Sequence, residues 1–352
     1  MEVKHIALLP GDGIGPEVMA EAVKVLDAVG RRFGRSFQYE TALVGATAIA
    51  AVGNPYPEET HQLCLASDAV LFGAVGDPAY DLNPKAGVRP EQGLLAMRKQ
   101  LGLFANIRPT VCYPALRSCS PLRPERLDGV DFVVFRELTG GLYFGRRGRE
   151  GDDGAFDTCT YSREEIRRIA RLAFETAAGR KGHLTLVDKS NILETSRLWR
   201  EEVQLLHADY PGVALDFLFV DNAAMQLVTN PAVFDVVLTE NMFGDILTDL
   251  AAAVAGSMGI LPSASLGSGH SLFEPVHGSY PQAKGRNIAN PVAMILSAAM
   301  MLDYAFGWTE EAKAVQTACE QSFAEGIVTQ DLAPDGTGRT TSEVGDWIAA
   351  RI

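Results

Sequence analysis

The chain has 352 residues, of which 47% are hydrophobic and 21% are charged, and its formal net charge is −13 at pH 7. This length suits about two domains, and the composition is typical of a globular protein rather than a disordered or fibrous one. The negative charge argues against nucleic acid or an anionic membrane as the main partner. The five cysteines form no C-x-x-C pair, so the sequence predicts neither a zinc knuckle nor a disulfide framework.

The sequence predicts neither a secretion signal nor a membrane anchor. The N-terminal stretch MEVKHIALLP carries charges inside a short apolar run, which is not the pattern of a signal peptide. The apolar stretch at residues 287–302 is shorter than the ~20 residues that a membrane span requires. We therefore expect a cytoplasmic protein with no membrane partner.

In chain order, the first predicted elements are a buried strand at residues 3–9 and an amphipathic helix at 16–30, with Pro16 in its first turn. Further strands are predicted at residues 37–41, 69–75, 132–135, 184–187, 215–220 and 233–238, with helices at 163–178 and 198–206. This alternation of strands and helices predicts an α/β architecture. The polar stretch at 146–157 is expected to be a loop or a projecting arm.

The stretch LLPGDGIGPEV, residues 8–18, joins the first strand to the first helix. A Rossmann fingerprint reads G-x-G-x-x-G, with an acidic residue about 20 positions further on. Here Gly11, Gly13 and Gly15 read G-x-G-x-G, and Glu40 lies well past the usual distance. The spacing therefore favours a tight corner between strand and helix over a phosphate cradle.

Two aspartates in TENMFGDILTDLAAAVAGSMG are the strongest sign of chemistry. Asp245 and Asp249 are four residues apart, so on a helix they share one face, where like charges repel. No Lys or Arg lies between Asn241 and His270, which argues against a simple exposed pair and favours a divalent cation held by oxygen ligands. Asp221 is a candidate third carboxylate.

Three arginines form a second group of candidate site residues. Arg98 and Arg108 lie in MRKQLGLFANIRP, and Arg136 lies in VFRELTGGLYFG. Each alone is compatible with an exposed residue, but together they favour a site for carboxylates, which arginine binds in bidentate fashion. Lys189 follows a strand and Tyr143 lies between glycines. Either could transfer protons, or be an ordinary loop lysine and a packed aromatic.

A long loop at residues 273–291 precedes a very apolar stretch, and long loops often carry function. His277 and the backbone N–H groups of this loop could bind an adenosine. The spacing alone leaves that open.

Eight motifs occur in order: PGDGIGPEV, RPEQGLLAMRK, ANIRP, RELTGGLYFG, VDKSN, FGDILTD, GSMGILPSAS and EPVHGS…ANP. Together they resemble the β-decarboxylating dehydrogenases of the isocitrate/isopropylmalate dehydrogenase family over nearly the whole chain. RELTGGLYFG separates the isopropylmalate type from isocitrate and homoisocitrate relatives, which typically carry an N-T-E-G variant there.

The resemblance implies a two-domain α/β fold that is not a Rossmann fold, with a first domain of residues 1–103 and 256–352 that makes most cofactor contacts. The second domain, residues 104–255, would carry dimerisation, metal and catalytic residues. It further implies an obligate homodimer with shared active sites. The expected reaction is the NAD-dependent oxidative decarboxylation of (2R,3S)-3-isopropylmalate to 4-methyl-2-oxopentanoate, a step of leucine biosynthesis.

The resemblance also implies a role for each matching residue. Three arginines would hold the substrate carboxylates, with leucines against the isopropyl group and an acid near the nicotinamide: Arg98, Arg108, Arg136, Leu94, Leu95 and Glu91. Asp245 and Asp249, with Asp221 of the partner subunit, would hold Mg²⁺ or Mn²⁺. Asp221 would also contact the substrate and take part in catalysis. Lys189 of the partner subunit would help remove the hydroxyl proton, and Tyr143 would protonate the enol.

For NAD, the resemblance implies two segments, about residues 77–91 and 278–290. The expected contacts are Ile14 near the nicotinamide end, Asp77, Pro78, Glu91, His277, Gly278, Ser279, Gln282 and Asn290. Gln282 departs from the family pattern, because many NAD-using members have a ribose-binding aspartate there. The Lys and Tyr typical of NADP-using relatives are absent as well, and we predict NAD.

Two alternative functions are also compatible with parts of the sequence. One is a relative acting on tartrate, malate or isocitrate, although Leu94 and Leu95 do not suit the extra carboxylate of isocitrate. The other is a non-catalytic nucleotide-binding protein on the same fold, against which the full set of Asp, Arg, Lys and Tyr residues argues.

Overall fold

The computed structural model describes residues 3–83, 86–333 and 336–352. The predicted domain ranges and the predicted cofactor segment at 77–91 include a few residues that lie outside these ranges.

The strands of the described residues are β1 (Val3–Gly11), β2 (Ser36–Thr41), β3 (Ala69–Ala74), β4 (Leu103–Val111), β5 (Asp131–Glu137), β6 (Arg147–Glu150), β7 (Gly154–Asp157), β8 (His183–Asp188), β9 (Ala214–Phe219), β10 (Val236–Thr239), β11 (Pro262–Gly267) and β12 (Ser271–Pro275). The helices are α1 (Gly15–Phe33), α2 (Gly45–Val52), α3 (Glu58–Ala66), α4 (Pro78–Asp81), α5 (Pro90–Gln100), α6 (Arg163–Gly179), α7 (Glu194–His207), α8 (Val220–Thr229), α9 (Asn241–Ala255), α10 (Val292–Tyr304), α11 (Thr309–Ala324) and α12 (Thr341–Ala349).

The predicted alternation of strands and helices is confirmed, with three local corrections. Val233 ends a 3₁₀ turn that begins at Pro231, so β10 starts three residues later than predicted. Val220 begins α8 instead of ending β9. The polar stretch at 146–157 is not an irregular loop, because β6 and β7 pair there as an antiparallel ribbon.

The chain divides into two compact units. The first comprises the chain up to Leu103, Tyr113–Cys119 and Ser257–Ile352, and the second comprises Phe104–Cys112 and Ser120–Gly256. In the first unit the strand order is β2-β1-β3-β12-β11, parallel except for the antiparallel pair β11–β12. Its core packs buried side chains of β1 and β3 against α5 and β12.

The glycine-rich stretch after β1 forms the predicted tight corner. Gly13 has φ +57, and a Cβ there would lie 1.9 Å from the carbonyl oxygen of Ser279, so a side chain cannot be accommodated. The Ile14 N–H donates to that same carbonyl at 2.8 Å. Buried Asp12 accepts hydrogen bonds from the backbone of Ala46, Thr47 and Gly76. The corner thus fixes the ends of β1 and β3 against α2 and the late loop.

In the second unit the strand order is β4-β5-β10-β8-β9. β4 and β5 are antiparallel, whereas β5, β10, β8 and β9 run parallel to one another. The carboxyl ends of these four strands therefore lie at one edge of the sheet, which is where open α/β sheets bind ligands. Helix α9 starts directly after β10, and its buried side, including Leu247 and Ala251, packs on the core under β5.

Candidate active site

Arg136 stands near the carboxyl end of β5 and contacts the first two turns of α9. Its Nε and Nη2 donate to Asn241 Oδ1 at 3.1 and 2.9 Å, and its Nη1 pairs with Asp245 Oδ1 at 2.5 Å. The Arg136 side chain is only 3% exposed. A buried guanidinium held from three nitrogens is fixed in plane, which suits it for binding a carboxylate.

Arg108 lies on the same face of the β4–β5 pair. Asn106 is opposite Arg136 in the antiparallel register, and Arg108 is two residues from Asn106. Arg108 Nε donates to Asn106 Oδ1 at 2.7 Å, and Nη1 donates to Thr248 Oγ1 at 2.6 Å. Nη1 also lies 3.9 Å from Asp249 Oδ1. The two arginines therefore contact successive turns of α9.

Asp245 and Asp249 occupy one face of α9, as the spacing predicted. Burial is the main cause that raises the pKa of Asp249, and the charge of Asp245 adds to it while Arg108 opposes it. Two like-charged carboxylates that face two arginines form a charge-dense surface suited to an anion together with a cation.

Tyr143 joins this group from the turn after β5. Its hydroxyl donates to Asp245 Oδ2 at 2.9 Å, and its ring centroid lies 5.9 Å from the Arg136 guanidinium carbon. Burial raises the pKa of the Tyr143 phenol, the hydrogen bond to Asp245 raises it further, and Arg136 opposes both. The phenol therefore holds its proton at neutral pH and can act as an acid.

Lys189 and Asp221 form a second pair at the same edge of the sheet. Lys189 directly follows β8, Asp221 lies in the first turn of α8 after β9, and Nζ donates to Asp221 Oδ1 at 2.6 Å. The hydrogen bond from Lys189 lowers the pKa of Asp221. Within the described ranges of this single chain, no group of three or more His, Cys, Asp or Glu side chains could hold a metal ion.

Three buried acids lie beneath this edge, at the carboxyl ends of β5, β8 and β10. Glu137 accepts hydrogen bonds from Thr139 and Gly140 and pairs with Arg168, and Asp188 pairs with Arg200 through both oxygens.

The third acid, Glu240, pairs with no Lys or Arg of the described residues, and its Oε2 lies 3.9 Å from the sulfur of the Cys159 thiol. Burial raises the pKa of Glu240 to about 7.

In the first unit, Glu91, Leu94, Leu95 and Arg98 lie on α5 at spacings of three and four residues, so they share one face. Arg98 is buried and its Nη2 donates to Glu274 Oε1 at 3.0 Å. Its Nε is buried with no hydrogen-bond partner among the described residues. Leu94 is partly buried and packs against the core of the unit.

The late loop and the glycine corner line a cavity of about 310 Å³ in the first unit. Its walls are mostly apolar, with a few polar groups: Ile14, Ser257, Met258, Gly259, His277, Gly278, Tyr280, Ile288, Ala289, Asn290 and Asp331. His277 Nδ1 lies 3.0 Å from the Gly278 carbonyl, while Nε2 is buried without a partner among the described residues. Burial lowers the pKa of His277, so the neutral ring presents Nε2 as an acceptor.

A second cavity of about 430 Å³ lies across the loop from the first. Asp77 and Tyr80 from the segment after β3 line it together with Pro281 and Lys284 of the late loop. The Asp77 side chain also accepts the Ala79 N–H at 2.8 Å and begins α4, where Pro78 is the first residue. The two segments that the sequence predicted for the cofactor therefore meet in one unit.

The structure brings Arg108, Arg136, Tyr143, Asp245 and Asp249 together, and it pairs Lys189 with Asp221 separately. Arg98, the α5 leucines and the cofactor-loop residues lie in the other unit.

Sequence reasoning missed Asn241 and Thr248, which orient the arginines. It also missed Asp331, which accepts from Asn290 Nδ2 at 3.1 Å, and Tyr280 on the cavity wall. Asn241 and Thr248 were visible on the aspartate face of α9, whereas nothing in the sequence tied Asp331 to the late loop.

The chain matches the isocitrate/isopropylmalate dehydrogenase family over residues 5–348, and it belongs to that family. The resemblance inferred from the motifs and the predicted fold class are thereby confirmed, and a Rossmann fold is excluded. The protein is an enzyme, a dehydrogenase, as predicted.

Among curated relatives, the 3-isopropylmalate dehydrogenase of Geobacillus kaustophilus is 58% identical over 343 residues, covering 96% of this chain and 92% of that protein. The 3-isopropylmalate dehydrogenase of Bacteroides fragilis is 53% identical over 348 residues, covering 99% and 98%. Among solved structures, isocitrate dehydrogenase from Methylococcus capsulatus superposes with a TM-score of 0.89 at 35% identity, covering 99% of both chains.

In the part of the chain that the structure describes, no helix is both long and apolar enough to cross a membrane.

Proposed function

We propose that this chain is a 3-isopropylmalate dehydrogenase that oxidises (2R,3S)-3-isopropylmalate with NAD and decarboxylates it to 4-methyl-2-oxopentanoate, carbon dioxide and NADH. The observation that carries the proposal is the cluster of Arg136, Arg108, Tyr143, Asp245 and Asp249 at the carboxyl ends of the second unit's strands. It combines carboxylate binding, a protonated acid and oxygen donors for a cation. High identity to relatives of this name over nearly the full chain supports the choice of substrate.

The proposed substrate site has charged side chains for the carboxylates and apolar side chains for the isopropyl group. Arg108 and Arg136 are held rigidly and would bind the malate carboxylates, joined by Arg98, whose buried Nε is an available donor. Leu94 and Leu95 share a helix face with Arg98 and would contact the isopropyl group. A leucine pair offers isocitrate's additional carboxylate no hydrogen bond, so it favours the apolar substituent.

The carboxylates of Asp245 and Asp249 fit a divalent cation, since their oxygens are hard donors placed four residues apart on one helix face. We propose that they hold Mg²⁺ or Mn²⁺ together with Asp221 of the partner subunit. When bound, the cation would polarise the C2 oxygen and so make the loss of the C3 carboxylate favourable.

The chain's own residues would move the protons. Lys189 would help take the C2 hydroxyl proton while the C2 hydride passes to the nicotinamide, and its contact with Asp221 holds it in position. After carbon dioxide leaves, the Tyr143 phenol would deliver a proton to C3 of the enol. Its raised pKa keeps that proton available at neutral pH.

The 310 Å³ cavity fits the adenosine half of NAD. Its apolar walls suit a base, and His277 Nε2 is a buried acceptor without a partner among the described residues, which an exocyclic amine would satisfy. Gly278, Ser279, Gln282 and Asn290 would complete this part of the site. The segment after β3, with Asp77, Pro78 and Glu91, would contact the rest of the dinucleotide.

We also propose that the enzyme is an obligate homodimer. Met225 on α8 and Ile246 on α9 are 61% and 60% exposed, and Val228 and Ile192 are exposed as well. Helices α8 and α9 pack against each other, so Met225, Val228 and Ile246 lie on one helix pair. Burial of such a surface against a second copy would remove it from water and bring Lys189 and Asp221 to the neighbouring site.

The test is an NADH-formation assay with 3-isopropylmalate, isocitrate and malate, each with Mg²⁺ or with excess EDTA. NAD and NADP are compared in turn, because Gln282 replaces the usual ribose-binding aspartate. We expect turnover of 3-isopropylmalate with NAD and Mg²⁺, and its loss on chelation. Preference for isocitrate or malate, or activity that survives chelation, would overturn the proposal.

A further inference from the structure

Tyr280 adopts a backbone conformation that its side chain does not favour. Among the described residues, only Tyr280 and Asn287 combine a side chain with positive φ, at +39 and +56. For a bulky residue this is an outlier that surrounding structure or a function must sustain.

Asn287 has a local explanation for its conformation. Its side chain donates to Ser342 Oγ at 2.9 Å and accepts from the Ser342 N–H at 3.0 Å, and its carbonyl accepts from Thr341. Asparagine is also one of the residues that tolerate the left-handed region.

Tyr280 has no such compensation. The residue is 54% exposed, and its hydroxyl has no hydrogen-bond partner among the described residues. The backbone is held from both sides, because Ser279 accepts the Ile14 N–H and the Tyr280 carbonyl accepts the Ala283 N–H at 3.0 Å. The fold therefore fixes the backbone of a large aromatic residue at this point without burying its ring.

The place where Tyr280 is fixed is the wall of the 310 Å³ cavity. Ile288 and Ala289 supply apolar surface there, and His277 supplies the unpartnered Nε2 acceptor. A ligand that satisfies this lining has a flat apolar body and a polar edge with a donor. An adenine base matches both requirements.

We propose that the Tyr280 ring stacks on the adenine base of the bound dinucleotide and is an adenine-recognition residue of this enzyme. The inference rests on the proposed function, which places the adenosine half of NAD in this cavity. Stacking on an aromatic ring is a substantial source of affinity for a base and requires no hydrogen bond from the tyrosine hydroxyl. A conformation fixed before binding lowers the ordering cost when the base arrives.

The test uses ADP-ribose, which carries the adenosine half without the nicotinamide, and measures its dissociation constant by calorimetry. Tyr280→Ala should bind ADP-ribose about tenfold more weakly than the unmodified protein. Tyr280→Phe should bind nearly as tightly and keep the hypochromism of the adenine ultraviolet band, which Tyr280→Ala should lose. Tyr280→Gly suits the positive φ and should also bind weakly, which separates the lost ring from backbone strain.

Two controls make each outcome decisive. Tyr304→Ala removes a tyrosine that is 43% exposed at the end of α10, outside the cavity lining, and should leave ADP-ribose binding unchanged. Binding of 3-isopropylmalate should be the same in all variants. Equal ADP-ribose affinity of Tyr280→Ala and the unmodified protein would overturn the stacking role alone. Failure of the unmodified protein to bind ADP-ribose would overturn the stacking role and the NAD site together.

Discussion

At Tyr143, a single hydrogen bond joins a neutral acid to a carboxylate that already pairs with Arg136. The arrangement accounts for both the position and the protonation of the phenol. Burial and Asp245 favour the neutral form, and the positive charge of Arg136 only partly offsets them. The same carboxylate is a proposed cation ligand, so the acid and the cation would face the same substrate atoms.

Replacement of Tyr143 by Phe removes the proton and keeps most of the ring packing. We expect kcat for 3-isopropylmalate to fall by about 10²–10⁴-fold, the usual contribution of a general acid, with a much smaller change in KM. Because the pKa of the phenol is raised above 10.0, the unmodified enzyme should not lose this acid at neutral or mildly alkaline pH. Steady-state kinetics across pH check both statements, and an unchanged kcat would contradict the assigned role.

At the scale of elements, β5, β8 and β10 each end in or lead directly to a buried acid. Arg168 and Arg200 neutralise two of these acids, whereas Glu240, just before α9, faces Glu137, Asp188 and the Cys159 thiol. The start of the helix that carries the proposed cation ligands is therefore sensitive to the charge on one carboxyl group.

The pKa of Glu240 is about 7 in the folded protein against an ordinary value of 4.5, so the folded state binds the proton more tightly. The stability that this contributes is present at low pH and is lost as pH rises through about 7. Glu240→Gln imitates the protonated form and should avoid that loss. Relative to the unmodified protein, it should gain on the order of 3 kcal/mol in unfolding free energy between about pH 5 and pH 8.

Urea unfolding at a series of pH values measures this difference directly. The matched control is Glu343→Gln, at the start of α12, where hydrogen bonds from Thr340 lower the carboxyl pKa. That variant should lose stability relative to the unmodified protein only as pH rises towards about 4.5, the opposite sign, and the difference between the two should stay constant from about pH 5 to pH 8. If the unmodified protein and Glu240→Gln depend on pH in the same way, the buried carboxyl is not titrating in this range.

Elements with a strong apolar run could be predicted from the sequence, and those set by tertiary context could not. Strands such as β3, β5 and β8 are short buried runs and lie within a few residues of their predicted positions. The shifted start of β10 has a local cause, since Pro231 begins a 3₁₀ turn. The ribbon β6–β7 is polar and largely exposed, so no hydrophobic alternation revealed it.

In the candidate site, too, some residues could be predicted from the sequence and others are set by tertiary contacts. The chemistry-bearing residues follow strand ends or share a helix face, so Arg136, Lys189 and the two α9 aspartates could be identified from the sequence. The contacts between them could not, because Asn106 is brought opposite Arg136 by strand register, and Thr248 meets Arg108 only through the packing of α9. Contact between the late loop and Asp331 likewise joins segments some 40 residues apart through the fold alone.

At the scale of the whole molecule, the proposed site divides between two copies of the chain. Within one copy, Lys189 binds Asp221, while Asp245 and Asp249 face Arg136 and Arg108. The described residues of that copy contain no group of three His, Cys, Asp or Glu side chains that could hold a metal ion. The exposed apolar side chains of α8 and α9 supply a surface for a second copy. If the active site is shared, each copy is incomplete alone, which makes complementation between defective copies possible.

Two variants test this sharing: Lys189→Ala removes the proposed proton acceptor, and Asp245→Asn removes a proposed cation ligand. Each alone should be nearly inactive with 3-isopropylmalate, with a native circular dichroism spectrum as the control for folding. When the two are mixed and allowed to exchange subunits, half of the dimers are mixed, and one site in each mixed dimer has both residues intact. Activity should therefore return to about one quarter of that of the unmodified enzyme. A site built within one chain predicts no recovery, since every copy then lacks one essential group.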